Sequence, residues 1–108
     1  MFAAIPVTDL PRAVQFYERF AGRAPDLVPN EREAAWRMSD SGWLCLVVER
    51  DRSDTVRHTI LVEDLDRTIA ELAQRGIAAG PVEQIAPGTR TTTVSDPDGN
   101  RLQVGEAR

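Results

Sequence analysis

The chain holds a single histidine, His58, and a single cysteine, Cys45. Any mechanism that needs a general base near neutral pH, or an imidazole to activate a nucleophile, must run through His58. Cys45 lies between Leu44 and Leu46, the setting of a small buried hydrophobe rather than of a stabilised thiolate. All 13 basic residues are arginine. Without lysine there is no Schiff-base chemistry, no pyridoxal attachment and no phosphate-loop lysine. Asp96, Asp98 and Asn100 are spaced like the opening of a calcium loop. However, Gly99 falls fourth rather than sixth, and Ala107 stands where a bidentate glutamate is required. Turn chemistry accounts for that segment. No serine elbow and no Gly-rich cradle after a strand occurs.

Composition narrows the partners. At 108 residues the chain is expected to form one domain around one shared core. A net charge of -4 opposes a nucleic-acid partner, because that affinity rests on neutralising phosphates. No apolar run approaches the roughly 18 residues needed to cross a bilayer, and the opening residues do not read as a secretory leader. A lone cysteine excludes an internal disulfide and fits the reducing cytoplasm.

The elements that must position these groups come in two similar halves. Ile5–Val14 returns as Ile60–Ile69, with Ile, Val, Asp, Leu and Arg repeated in place. Phe2–Val7 reads as a buried strand; Asp9 caps a helix with Pro11 in its first turn, and Gly22 ends it. Its apolar stripe is Leu10, Ala13, Val14, Tyr17 and Phe20. Arg23–Asn30, with two prolines, reads as an irregular or edge strand. Ala34–Met38 and Trp43–Glu49 read as strands joined by a turn at Ser39–Gly42. Arg50–Arg57 reads as a solvated linker. The second half repeats the order: a strand at His58–Val62, then a helix capped by Asp64 with the stripe Leu65, Ile69 and Leu72. A weak strand at Ala78–Ile85 follows, then a strand at Arg90–Ser95, a turn at Asp96–Asn100 and a last strand centred on Leu102–Val104. The expectation is an α+β fold of two pseudo-symmetric βαβββ modules, residues 1–50 and 57–108, with helices on one side of the sheets.

Three features together resemble the vicinal oxygen chelate superfamily: glyoxalases, bleomycin-resistance proteins, extradiol dioxygenases and fosfomycin-resistance enzymes. They are Val7-Thr8-Asp9-Leu10 leaving the first strand, Phe16-Tyr17 followed by Gly22, and Asp96-Pro97-Asp98-Gly99-Asn100 before the last strand. In metal-using members, four strand residues (His or Gln, Glu, His, Glu) hold a divalent ion. Carried onto this sequence, those positions are Ala3, Cys45, His58 and Gln103. Alanine offers no lone pair, an amide is a poor ligand, and no carboxylate remains to balance a dication. The resemblance therefore implies a metal-free site with no cofactor. The alternative is a metal-dependent lyase, isomerase or dioxygenase that binds its ion through His58, with Glu49 or Glu106 turned inward.

Strand alternation extends this expected cleft to Trp43 beside Cys45, Arg101 beside Gln103 and Ile60 beside His58, with Trp36 as a further wall. Such a lining suits a planar, partly aromatic small molecule, anionic ones included. The expected function is cleft binding for sequestration or resistance by a homodimer, the partner chain completing the cleft. A third reading is a protein-interaction domain whose cleft is filled by its own side chains.

Overall fold

A computed structural model describes residues 2–39, 42–49 and 57–107. The first module runs β1 (Phe2–Val7), α1 (Leu10–Ala21), β2 (Leu27–Asn30), β3 (Glu33–Arg37) and β4 (Trp43–Val48). The second runs β5 (Arg57–Leu61), α2 (Leu65–Gln74), β6 (Glu83–Ala86), β7 (Thr89–Ser95) and β8 (Arg101–Ala107). Each forms a four-stranded mixed sheet, in the orders β1-β4-β3-β2 and β5-β8-β7-β6. Two βαβββ modules are thus present. Most of the linker expected at Arg50–Arg57, and Asp40 and Ser41 of the β3–β4 turn, lie outside the described residues. Among the described residues no helix is long and apolar enough to cross a membrane.

The capping residues act as their types dictate. Asp9 accepts from the Arg12 amide at 3.2 Å and Asp64 from the Arg67 amide at 3.0 Å, each satisfying an orphan donor of a first turn. Gly22 ends α1 in the left-handed region at φ 78, returning its amide to Glu18. Weak strand propensity around Ala78–Val82 leaves β6 shorter than expected, beginning at Glu83.

Burial alternates along β4: Leu44, Leu46 and Val48 are buried, while Trp43, Cys45 and Val47 are half-buried on the opposite face. The buried set packs with Ile5, Val7 and Trp36 against Ala13, Phe16, Tyr17 and Phe20 of α1. In the second module Leu102, Val104 and Val94 join Leu65 and Leu72 of α2 in the same cluster. Helices therefore cover one face of each sheet, and the other face stays open.

Polar contacts tie the modules together. Tyr17 Oη, fully buried, donates to Asp96 Oδ2 at 2.8 Å. Asn100 Nδ2 donates to the Pro6 carbonyl and to Asp96 Oδ2, both at 2.8 Å. Thr8 donates from Oγ1 and from its amide to Asp98, at 2.6 and 3.2 Å. Arg12 reaches the Pro97 carbonyl at 2.9 Å. The Asp96–Asn100 segment is accordingly more than a turn: it clasps the second module onto the start of α1. At the far end of α1, Arg75 donates to the carbonyls of Arg19 and Phe20.

Glu106, 2% exposed, lies on the helix side of β8. Its Oε1 accepts from the Leu65 amide at 2.6 Å at the start of α2, and its Oε2 pairs with Arg90 at 3.1 Å. Exchanging Glu106 for glutamine keeps an acceptor for Leu65 but removes the charge that Arg90 faces. Arg90 also holds Asp66 and is partly solvated, which limits the loss. Urea unfolding of Glu106→Gln is expected to show a loss of about 1–2 kcal/mol.

Candidate functional site

Strand register fixes which side chains share the open faces. In the first sheet Ala4, Cys45, Ala35 and Leu27 line up as one row across β1, β4, β3 and β2. Trp43 pairs with Arg37, and Val47 with Pro6 and Glu33. In the second sheet Thr59, Gln103 and Thr93 form the matching row, with Leu61, Gly105 and Thr91 beside it. The first face is mainly apolar, whereas the second carries hydroxyls and an amide.

Two hollows adjoin Trp43. One, of about 320 Å³, is lined by Leu27, Pro29, Glu33, Ala35, Trp43 and Cys45. The other, of about 420 Å³, lies where the modules meet, with Met38, Trp43 and Leu44 on one side and Thr59, Ile60 and Leu61 on the other. Each is of a size to hold a small organic molecule. Larger hollows lie elsewhere: about 690 Å³ beside Thr8, Asp9, Glu31 and Arg32, and about 550 Å³ among Arg19, Arg23 and Arg75. They are lined by charged side chains, and Arg23, Arg32 and Arg75 already donate to carbonyls of the chain. The hollows around Trp43 are the better candidates, because they combine an aromatic wall with apolar surroundings.

Cys45 is a thiol rather than a thiolate here. Burial, and then the negative charge of Glu33, push its ionisation above the usual range. Gln103 is half-buried. Its Nε2 donates to Thr91 Oγ1 at 3.4 Å, and its Oε1 accepts from Thr59 Oγ1 at 3.3 Å.

The structure brings together Trp43 and Cys45 on one open face, and Gln103 and the exposed Arg101 on the other. It does not place His58 on those faces, and Ile60 borders the hollow shared with Trp43 from the helix side of its strand. His58 is in register with Leu102 and Ile60 with Val104, both core residues, so the two point to the helix side of β5. The His58 ring instead lies 3.1 Å from the Ala4 carbonyl, bridging the two edge strands. Likewise Ala3 is in register with the core residue Leu44, and it is Ala4 that adjoins Cys45. The positions carried over for Ala3 and His58 are one residue out, and along a strand a single step exchanges the faces. Thr59, missed in the sequence, stands beside Gln103; correct register counting would have found it.

Trp36 does not line the cleft either. It is fully buried, its Nε1 donates to the Arg23 carbonyl at 2.9 Å, and its ring packs 6.2 Å from that of Tyr17. Glu106 serves α2 as described, and Glu49 is exposed just beyond β4. Neither turns inward.

The groups in register with Cys45 and Gln103 on the open faces are thus the Ala4 methyl and the Thr59 hydroxyl. This donor set does not fit a divalent ion. It has no imidazole, and Glu33, which borders the hollow of Cys45, is a single carboxylate beside one neutral thiol. Among the described residues no three His, Cys, Asp or Glu side chains gather as a metal-holding group.

Comparison with known proteins agrees with the paired-module fold. No curated protein matches the chain. A solved glyoxalase/bleomycin resistance protein from Catenulispora acidiphila is 32% identical, with a TM-score of 0.91 over 100% of this chain and 97% of that one. An antibiotic binding protein from a Streptomyces species is 24% identical, TM-score 0.77, over 99% and 93% of the two chains. A bleomycin-binding protein complexed with bleomycin is 17% identical, TM-score 0.81, over 97% and 95%. The model of the Glyoxalase/Bleomycin resistance protein/Dioxygenase superfamily matches residues 2–104. By that match and by its paired βαβββ modules, the chain belongs to this superfamily.

Proposed function

We propose that the protein binds a planar organic small molecule on the open faces around Trp43, without a metal ion, and acts by sequestration. The observation that carries this reading is the donor set. The methyl and thiol of Ala4 and Cys45, and the hydroxyl and amide of Thr59 and Gln103, are the neighbours that register pairs, a set poor in the carboxylate and imidazole donors an ion prefers. Trp43, half-buried between two hollows, offers a stacking surface with apolar walls on either side. The antibiotic binding protein and the bleomycin-binding protein among its structural neighbours support the same class of role. The metal-dependent alternative loses its one imidazole, because His58 faces the helices.

A second copy of the chain completes the cleft in this proposal. Leu27 and Leu61 on the open faces are 52% and 71% exposed, more apolar surface than a lone cleft residue needs to show. The free thiol suits a cytoplasmic setting.

Incubation with nickel, zinc, manganese or iron followed by desalting tests the proposal. The expected result is far less than one ion retained per chain, with Trp43 emission still quenched by planar aromatic compounds. One tightly held ion per cleft would overturn it.

A further inference from the structure

Resting on that reading, we infer that the ladder Thr59–Gln103–Thr91 recognises the –CO–NH– edge of a planar lactam or imide, so that the ligand is a neutral heterocycle of this class. A primary amide side chain has two N–H donors and two acceptor lone pairs. In Gln103 one donor goes to Thr91 and one acceptor lone pair to Thr59, at 3.4 and 3.3 Å. Both lengths lie beyond the favourable range, so these contacts hold the amide plane without satisfying it. Thr91 on β7 and Thr59 on β5 flank Gln103 from opposite sides, so among the described residues the N–H and lone pair left over are taken to be those between them, on one edge of the amide. A lactam or imide edge presents the complementary acceptor and donor at the same spacing.

The chemistry is selective. A carboxylate would set two acceptors against one donor and one acceptor, leaving lone pairs facing each other. An ammonium would find a single acceptor. Threonine hydroxyls can donate or accept, so the amide offers the same pair even when its nitrogen and oxygen are exchanged.

Two further features fit this role. Gly105, two residues along the same face of β8, carries no side chain. A Cβ there would stand 3.1 Å from Thr91 Cγ2, so larger residues would push the flanking hydroxyl aside. Thr59 also lines the hollow shared with Trp43. An aromatic body against Trp43 can therefore belong to the molecule whose amide edge meets the ladder.

The test uses naphthalimide and N-methylnaphthalimide, which differ only in the imide N–H, with quenching of Trp43 emission as the readout. Naphthalimide is expected to bind about tenfold tighter than its methylated form, the worth of one good hydrogen bond. In Gln103→Leu the two probes should bind alike, at the affinity the methylated form has for the unaltered protein. Equal affinities in the unaltered protein, where no variant need fold, would overturn the amide reading and leave the Trp43 cleft standing. A preference that persists in Gln103→Leu overturns it too. Quenching by neither probe would overturn the cleft itself, and the ladder's role with it.

Discussion

Replacing Asp96 by alanine should lower the stability of the protein by about 3–5 kcal/mol, the cost of deleting one partner from a buried charged network. The thermal midpoint should fall by on the order of 15 °C or more. Asp96 is 6% exposed and accepts four hydrogen bonds. Tyr17 Oη and Asn100 Nδ2 reach its Oδ2, and the amides of Asp98 and Asn100 reach its Oδ1. Without the carboxylate, a fully buried phenol, an amide side chain and two backbone N–H groups lose their acceptor together. The same deletion loosens the clasp between the modules, because Asn100 then holds only the Pro6 carbonyl among these partners. Tyr17→Phe is the milder change, about 1–2 kcal/mol, since Asn100 Nδ2 still serves Asp96 Oδ2. Urea unfolding followed by circular dichroism checks both. Equal losses for the two variants, or less than about 1 kcal/mol for Asp96→Ala, would mean the clasp is ornamental.

The second large effect is alkaline unfolding. Burial, then the charge of Asp96, its hydrogen bond to the phenol, and the charge of Asp98 hold the Tyr17 hydroxyl far above its ordinary ionisation range. In the unfolded chain the phenol ionises near pH 10, and in the folded one it stays neutral. Above that pH the unfolded state binds fewer protons, so stability is intact below about pH 10 and falls as pH rises, by about 1.4 kcal/mol per unit. Composition makes the measurement clean. The chain has one tyrosine and no lysine, and arginine stays protonated. Cys45 shifts in the same direction and would add to the loss, so the experiment belongs in a Cys45→Ser background. There, stability against pH from 9 to 12 should bend downward in the protein that keeps Tyr17. It should stay nearly flat in Tyr17→Phe. A slope unchanged by that substitution would show that other groups unfold the chain.

How far the site could be read from sequence is clearest at β1 and β5. Their existence follows from short apolar runs before Asp9 and Asp64, and both caps sit where their side-chain chemistry requires. Their facing did not follow. The sole histidine was expected in the cleft, yet His58 is in register with Leu102, on the side that α2 covers. The runs Phe2–Val7 and His58–Val62 have few polar residues to mark an outward face, so the alternation that normally sets parity is absent from them. On β4 and β8, by contrast, Cys45 and Gln103 fell on the expected side, because Leu44, Leu46, Leu102 and Val104 flank them as core residues. Trp36 shows a different limit. Its strand position allowed a cleft wall, but Tyr17 and the Arg23 carbonyl claim the ring for the core.

The repeat, the caps, the turn residues and the missing lysines belong to the sequence by itself. They set two βαβββ modules and remove whole classes of chemistry, because those features act locally or through composition. Partnership across the chain was decided only in three dimensions. Asp96–Asn100 reads as a sufficient turn until Tyr17, Pro6 and Thr8 are seen to close on it from 79 or more residues away. Thr59 likewise becomes a neighbour of Gln103 only through the pairing of β5 with β8. Local sequence cannot carry such information, since hydrogen-bond partners and strand register are set by how two finished modules pack.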